Sequence, residues 1–106
     1  MKKSFRSNMV LAATVLLAGS MCFAEDGAAI YNARCKTCHG ATGTPNAAMA
    51  KSMGIKPVSD PSIQALTASQ VAATVKNGKG KMTAFKGKLT DAQIKASVDY
   101  FRSLAK

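Results

Sequence analysis

The stretch Cys35-Lys36-Thr37-Cys38-His39 constrains this chain more than any other. Two cysteines lie at i and i+3, and a histidine follows the second directly. That order is the attachment pattern of a c-type haem. Each thiol can form a thioether to one vinyl group, and the two-residue spacer lets one short turn reach both. His39 then falls beneath the ring, where its imidazole can ligate the iron. A chain built on such a site packs around a large flat apolar body.

Other uses of these residues need partners that the chain lacks. A structural zinc site takes four ligands, commonly two such pairs. His39 is the only histidine, and the only other cysteine is Cys22. A thioredoxin-type pair opens a helix after a strand in a βαβ unit, and no strand pattern precedes Cys35.

The N-terminus supports the haem reading independently. Lys2, Lys3 and Arg6 are followed by an apolar run from Met9 to Leu17 and a small-residue end at Cys22-Phe23-Ala24. This is the pattern of a secretory signal, with cleavage expected after Ala24. The run is half the roughly 20 residues that a spanning helix needs, which argues against a membrane anchor. Ser20 and Met21 do not suit lipid attachment at Cys22. The expected organisation is a signal peptide over 1–24 and one domain over 25–106, exported to the periplasm. Haem is joined to such motifs after export, so the two readings reinforce each other.

The expected mature segment has 82 residues, near the size at which a core alone gives marginal stability. A group bound only by the folded state adds to that stability. The segment holds 12 Lys and Arg against 5 Asp and Glu. No aromatic-studded basic stretch suggests nucleic acid. The positive balance instead suits solubility and steering toward an acidic partner surface.

Three helices are legible, and no strand pattern is convincing, so the expected class is all-α. The first runs from about Gly27 to Cys35, with Asp26 as N-cap. The second starts at Thr67, where Thr67-Ala68-Ser69-Gln70 forms a capping box, and stops at Asn77-Gly78. The third starts at the capping box Thr90-Asp91-Ala92-Gln93 and carries Ile94, Val98 and Phe101 at helical spacing. The segment 40–66, rich in Gly and Pro, reads as loop with one short helical turn near Ala47 to Met53. So long a loop suits a chain that wraps something.

A haem with one protein ligand binds small molecules, and a haem with two carries electrons. Bis-histidine ligation is excluded, which leaves Met49, Met53 and Met82; a thioether raises the potential. Met82 is the best placed, in the glycine-lysine loop Gly78-Lys79-Gly80-Lys81-Met82 between two helices. Met49 and Met53 follow the motif closely, where packing is the commoner use of methionine.

With these residues in view, the chain resembles the small monohaem class I cytochromes c of the bacterial periplasm. The likeness runs from Gly27 and Tyr31 through Cys35-Lys36-Thr37-Cys38-His39-Gly40 and the run 77–88 to Tyr100-Phe101-Arg102-Ser103-Leu104. It implies one haem c per chain on Cys35 and Cys38, with His39 and Met82 as axial ligands. It also implies that the Pro45 carbonyl accepts the ring N–H of His39. The first and last helices should cross at Gly27. Two positions depart from the family: Thr83 replaces a proline after the ligand methionine, and Ser97 replaces a large apolar residue at the crossing. The implied function is a monomeric periplasmic one-electron carrier rather than an enzyme. Lys79, Lys81, Lys86 and Lys88 would then lie near the haem edge and face an acidic redox partner. A gas sensor or enzyme with an open sixth site is the alternative, and Thr83 is its one supporting feature.

Overall fold

The computed structural model describes residues 26–105. The expected signal segment, 1–24, lies outside the described residues. Six helices follow in order: α1 Gly27–Arg34, α2 Lys36–His39, α3 Ala47–Met53, α4 Pro61–Gln64, α5 Ala68–Asn77 and α6 Asp91–Ser103. The described residues form no strand, only the isolated bridges Lys79 to Met82 and Lys86 to Leu89. The architecture of the described residues is all-α, as expected.

Both capping boxes form in full. Thr67 accepts from the Gln70 N–H while the Gln70 side chain accepts from the Thr67 N–H, and Thr90 and Gln93 repeat the arrangement. Each satisfies two of the N–H groups that every helix start leaves without a partner. The starts of α5 and α6 are thereby fixed, and their apolar stripes meet. Val71 and Val75 of α5 are buried with Ile94 and Val98 of α6. Each pair is spaced i, i+4, one face of a helix. Burying such side chains stabilises by roughly 1.5–3 kcal/mol apiece.

The second packing contact is closer. α1 crosses α6 at Gly27, where a Cβ would stand 2.1 Å from the Ala96 carbonyl oxygen and 3.3 Å from the Tyr100 Cβ. Only a residue without a side chain allows backbones this close. Ser97, which departs from the family at the crossing, is 3 % exposed. Its hydroxyl donates to the Ile94 carbonyl at 2.9 Å. The buried polar group is satisfied within its own helix, and the crossing stays tight without a large apolar residue.

Between His39 and Leu66 the chain is more ordered than its glycines and prolines suggest. The expected turn near Ala47 is a helix of seven residues, capped by the Asn46 side chain and closed by Gly54. α4 was not foreseen, although its Asp60 cap and Pro61 at the first position are a start signal. Val58 anchors the segment. It is 2 % exposed, its N–H donates to the Gly43 carbonyl, and its carbonyl accepts from Gln64 Nε2. Arg102 Nη1 donates to the Leu66 carbonyl at 2.8 Å and ties α6 to the approach of α5.

The crossing makes a prediction whose sign decides it. Helix propensity alone would have Gly27→Ala stabilise by up to about 1 kcal/mol. Overpacking against an immovable carbonyl should instead cost about 3 kcal/mol, read from the denaturant midpoint of the haem-loaded protein. A neutral or stabilised variant would refute the close contact.

Candidate haem site

The motif is folded as a single turn. Cys35 caps α1 and precedes α2, and its carbonyl accepts from the N–H groups of Cys38 and His39 at 3.2 and 3.0 Å. Cys35, Cys38 and His39 therefore stand at i, i+3 and i+4, on one face of a helical turn. Both thiols are free and half-buried. Burial pushes the Cys35 thiol above its ordinary range.

His39 is held from α6. Its ring packs edge-to-face with Phe101, with centroids 5.5 Å apart. Phe101 also stacks on Tyr31 at 6.0 Å, and Tyr31 packs on Tyr100 at 5.4 Å. Tyr31 is 1 % exposed, and its hydroxyl donates to the Gly40 carbonyl at 2.6 Å. α1 is thus pinned to the residue that follows the histidine. Burial pushes the Tyr31 phenol up to about 12.

The imidazole fits a metal-bound group. Desolvation lowers its pKa below the ordinary histidine value. It is therefore neutral at pH 7, the form that ligates metals. Its Nδ1 is buried with no hydrogen-bond partner, a costly state for a ring with no function. Pro45 is buried, and the Thr44–Pro45 backbone runs against Gly40, within 3.4 Å of a Cβ placed there. The bond from His39 Nδ1 to the Pro45 carbonyl implied by the resemblance is not made in this structure. Two thiols and a neutral imidazole on one turn match the donor set of a c-type haem. Among the described residues, no three His, Cys, Asp or Glu side chains gather as a metal-holding group.

Met82 lies on a turn that is better fixed than a glycine-lysine loop suggests. Lys79 and Met82 exchange backbone hydrogen bonds of 3.3 and 2.9 Å, so the four residues close as a hairpin turn. Gly80 sits at φ 59, the positive value that such turns need at their second position. Beyond Thr83, the N–H groups of Phe85 and Lys86 donate to the Val75 and Lys76 carbonyls, both at 3.0 Å. The backbone is held on both sides of Thr83 without the rigidity of proline. Met82 and Phe85 are half-buried against the α5–α6 core. Met49 and Met53 are also half-buried, on α3.

Residues 23–101 match the family model described as cytochrome c oxidase, cbb3-type, subunit III. The chain belongs to this family of c-type cytochromes. Cytochrome c6 of Leptolyngbya boryana is 35 % identical over 80 residues, which cover 73 % of this chain and 87 % of that protein. The solved c-type cytochrome KustC0563 superposes with a TM-score of 0.69 at 32 % identity, over 76 % of this chain and 99 % of its own. The protein is accordingly a small monohaem class I cytochrome c. It carries a covalently bound c-type haem and acts as a haem-based electron carrier.

Two features of this cytochrome's site were not singled out from sequence. Phe101 was legible only as a core position of α6, and nothing in its spacing shows that its ring packs on His39. The Tyr31 bond to Gly40 is equally silent, because it depends on where α1 ends.

Tyr31→Phe leaves the Gly40 carbonyl without its donor and should cost about 1–2 kcal/mol at pH 7. The folded-state pKa of this phenol is raised, so its contribution is complete below pH 10 and is lost as pH rises toward 12. Denaturant titrations at pH 8 and 11 should show the gap between wild type and variant narrowing. A gap that widens would contradict the bond.

Proposed function

We propose that the protein is a periplasmic one-electron carrier in which Cys35 and Cys38 hold the haem by thioethers, with His39 and Met82 as the axial ligands. The observation that carries this reading is the His39 imidazole. It is neutral and half-buried, with its Nδ1 out of reach of solvent, it packs edge-to-face with Phe101, and it shares one helical face with both cysteines. When bound, the haem supplies one-electron chemistry at iron, and the protein tunes it. The chain's own part is to fix the donors so that both oxidation states meet the same shell.

Met82 is the sixth ligand in this reading. Its turn is closed by its own backbone pair and anchored downstream to α5. That support for a held thioether weighs against the open-site sensor or enzyme, for which Thr83 was the argument. Pro45 would accept from His39 Nδ1 in the loaded protein and set the ring's orientation. The basic start and apolar run of residues 1–24 support export and cleavage after Ala24.

The partner is read from charge. Lys79, Lys81, Lys86 and Lys88 are all exposed, and none is in an ion pair among the described residues. Lys76 and Lys95 instead pair with Asp91 and Asp99. Four of the cations outside these pairs therefore fall within residues 79–88, the segment that carries the Met82 turn. They suit brief docking on an acidic redox partner, the small weak interface usual for electron transfer.

The ligand assignment is tested by the weak long-wavelength charge-transfer band of sulfur bound to ferric haem. Wild type should show it. Met82→Ala should lose it and bind carbon monoxide when reduced, whereas Met49→Ala and Met53→Ala should keep it. Loss of the band in Met53→Ala but not in Met82→Ala would move the ligand to α3. The mass of the same purified protein should be that of a chain beginning at Glu25 plus one haem.

Docking is tested by rate. Exposed charges act mainly on encounter, and their field is screened within roughly 8 Å at physiological ionic strength. Electron transfer to an acidic partner should slow as salt rises. Lys86→Glu with Lys88→Glu should slow it at low salt and leave the potential nearly unchanged. A rate indifferent to both would remove the patch.

A further inference from the structure

α3 is held differently from the other long helices. The extensive helix pairings join α1 with α6, α5 with α6, and α1 with α2, and α3 takes part in none of them. Its half-buried residues are Met49, Ala50 and Met53, which share one face, and the rest of the helix is exposed. Its last carbonyls have no partner within the helix, apart from Ala50, which accepts from the Gly54 N–H. The Ser52 carbonyl is satisfied from a distance. Lys81 Nζ donates to it at 2.8 Å, across 29 residues of sequence. An ammonium at this end of a helix is favoured both as a donor and as a charge.

Lys81 immediately precedes Met82 in the closed turn. The other bonds of that turn stay within it or run to α5. Among the described residues, Lys81 to Ser52 is the hydrogen bond that joins the turn to the segment 40–66. We infer that Lys81 is a positioning residue. Its side chain straps the Met82 turn to the C-terminal end of α3, and so holds the methionine against displacement by an external ligand. This rests on the reading of Met82 as the sixth ligand. Displacing the methionine needs the turn to move relative to α3, and a bond that ties the two together resists that motion. Lys79 offers an internal comparison. It has the same charge in the same turn, and its side chain makes no hydrogen bond among the described residues.

The experiment is an imidazole titration of the ferric haem-loaded protein, followed by its absorption spectrum, with five proteins compared. Lys81→Met should bind imidazole roughly five- to tenfold more tightly than wild type. Lys81→Arg, which keeps the donor and the charge, should stay within about twofold of wild type, as should Lys79→Met. A Lys81→Met protein that matches wild type overturns the strap. So does a Lys79→Met protein that shows the same gain, because charge alone would then explain it. Met82→Ala separates this failure from failure of the ligand reading. If it binds imidazole no more tightly than wild type, Met82 is not the ligand. If it binds far more tightly while Lys81→Met matches wild type, the ligand reading stands and only the strap falls.

Discussion

Where α1 crosses α6, the backbone at Gly27 lies against the Ala96 carbonyl with no room for a methyl group. The site depends on that contact. It brings Tyr31, one turn further along α1, against Tyr100 and Phe101. Tyr31 then reaches the Gly40 carbonyl, and Phe101 reaches the imidazole of His39. The histidine is thereby located by two helices far apart in sequence rather than by its own short turn. Positioning of this kind comes from close packing, which leaves side chains few alternative rotamers.

Charge is distributed with the same economy. The ion pairs Lys76–Asp91 and Lys95–Asp99 involve α5 and α6. Exposed pairs of this kind contribute little to stability, commonly under about 1 kcal/mol each. Their larger effect is to offset charge on α5 and α6, while the four lysines of the 79–88 segment stay outside any ion pair among the described residues. A cluster of like charge of this kind orients an approaching partner before contact.

Much of this could be read from sequence because the signals were local. Capping boxes at Thr67 and Thr90, a cysteine pair at helical spacing and an isolated glycine at a helix start each specify a structure within a few residues. Segment 40–66 was harder. Its glycines and prolines read as loop, yet Asn46 and Asp60 cap two short helices, and Val58 anchors the whole. Ser97 illustrates another limit. Sequence showed a polar residue in place of an apolar one, but not that its hydroxyl would turn back on Ile94. The contacts that could not be read were those between distant segments: Phe101 on His39, and Lys81 on Ser52. No periodicity encodes them, since they exist only once the helices have crossed.

The α1–α6 crossing also bears on the order in which the molecule is made. α5 and α6 are neighbours in the chain and can pair as soon as both exist, whereas α1 must wait for a partner about 70 residues downstream. Joining ends so far apart costs chain entropy that grows with the logarithm of the loop, and topologies that need such contacts fold more slowly. Until α6 has been synthesised, Tyr31 has no aromatic neighbours from that helix and the turn bearing Cys35, Cys38 and His39 has nothing to dock on. The motif is thus translated well before the helix that holds it. During that interval its side chains remain open to any machinery that must reach them.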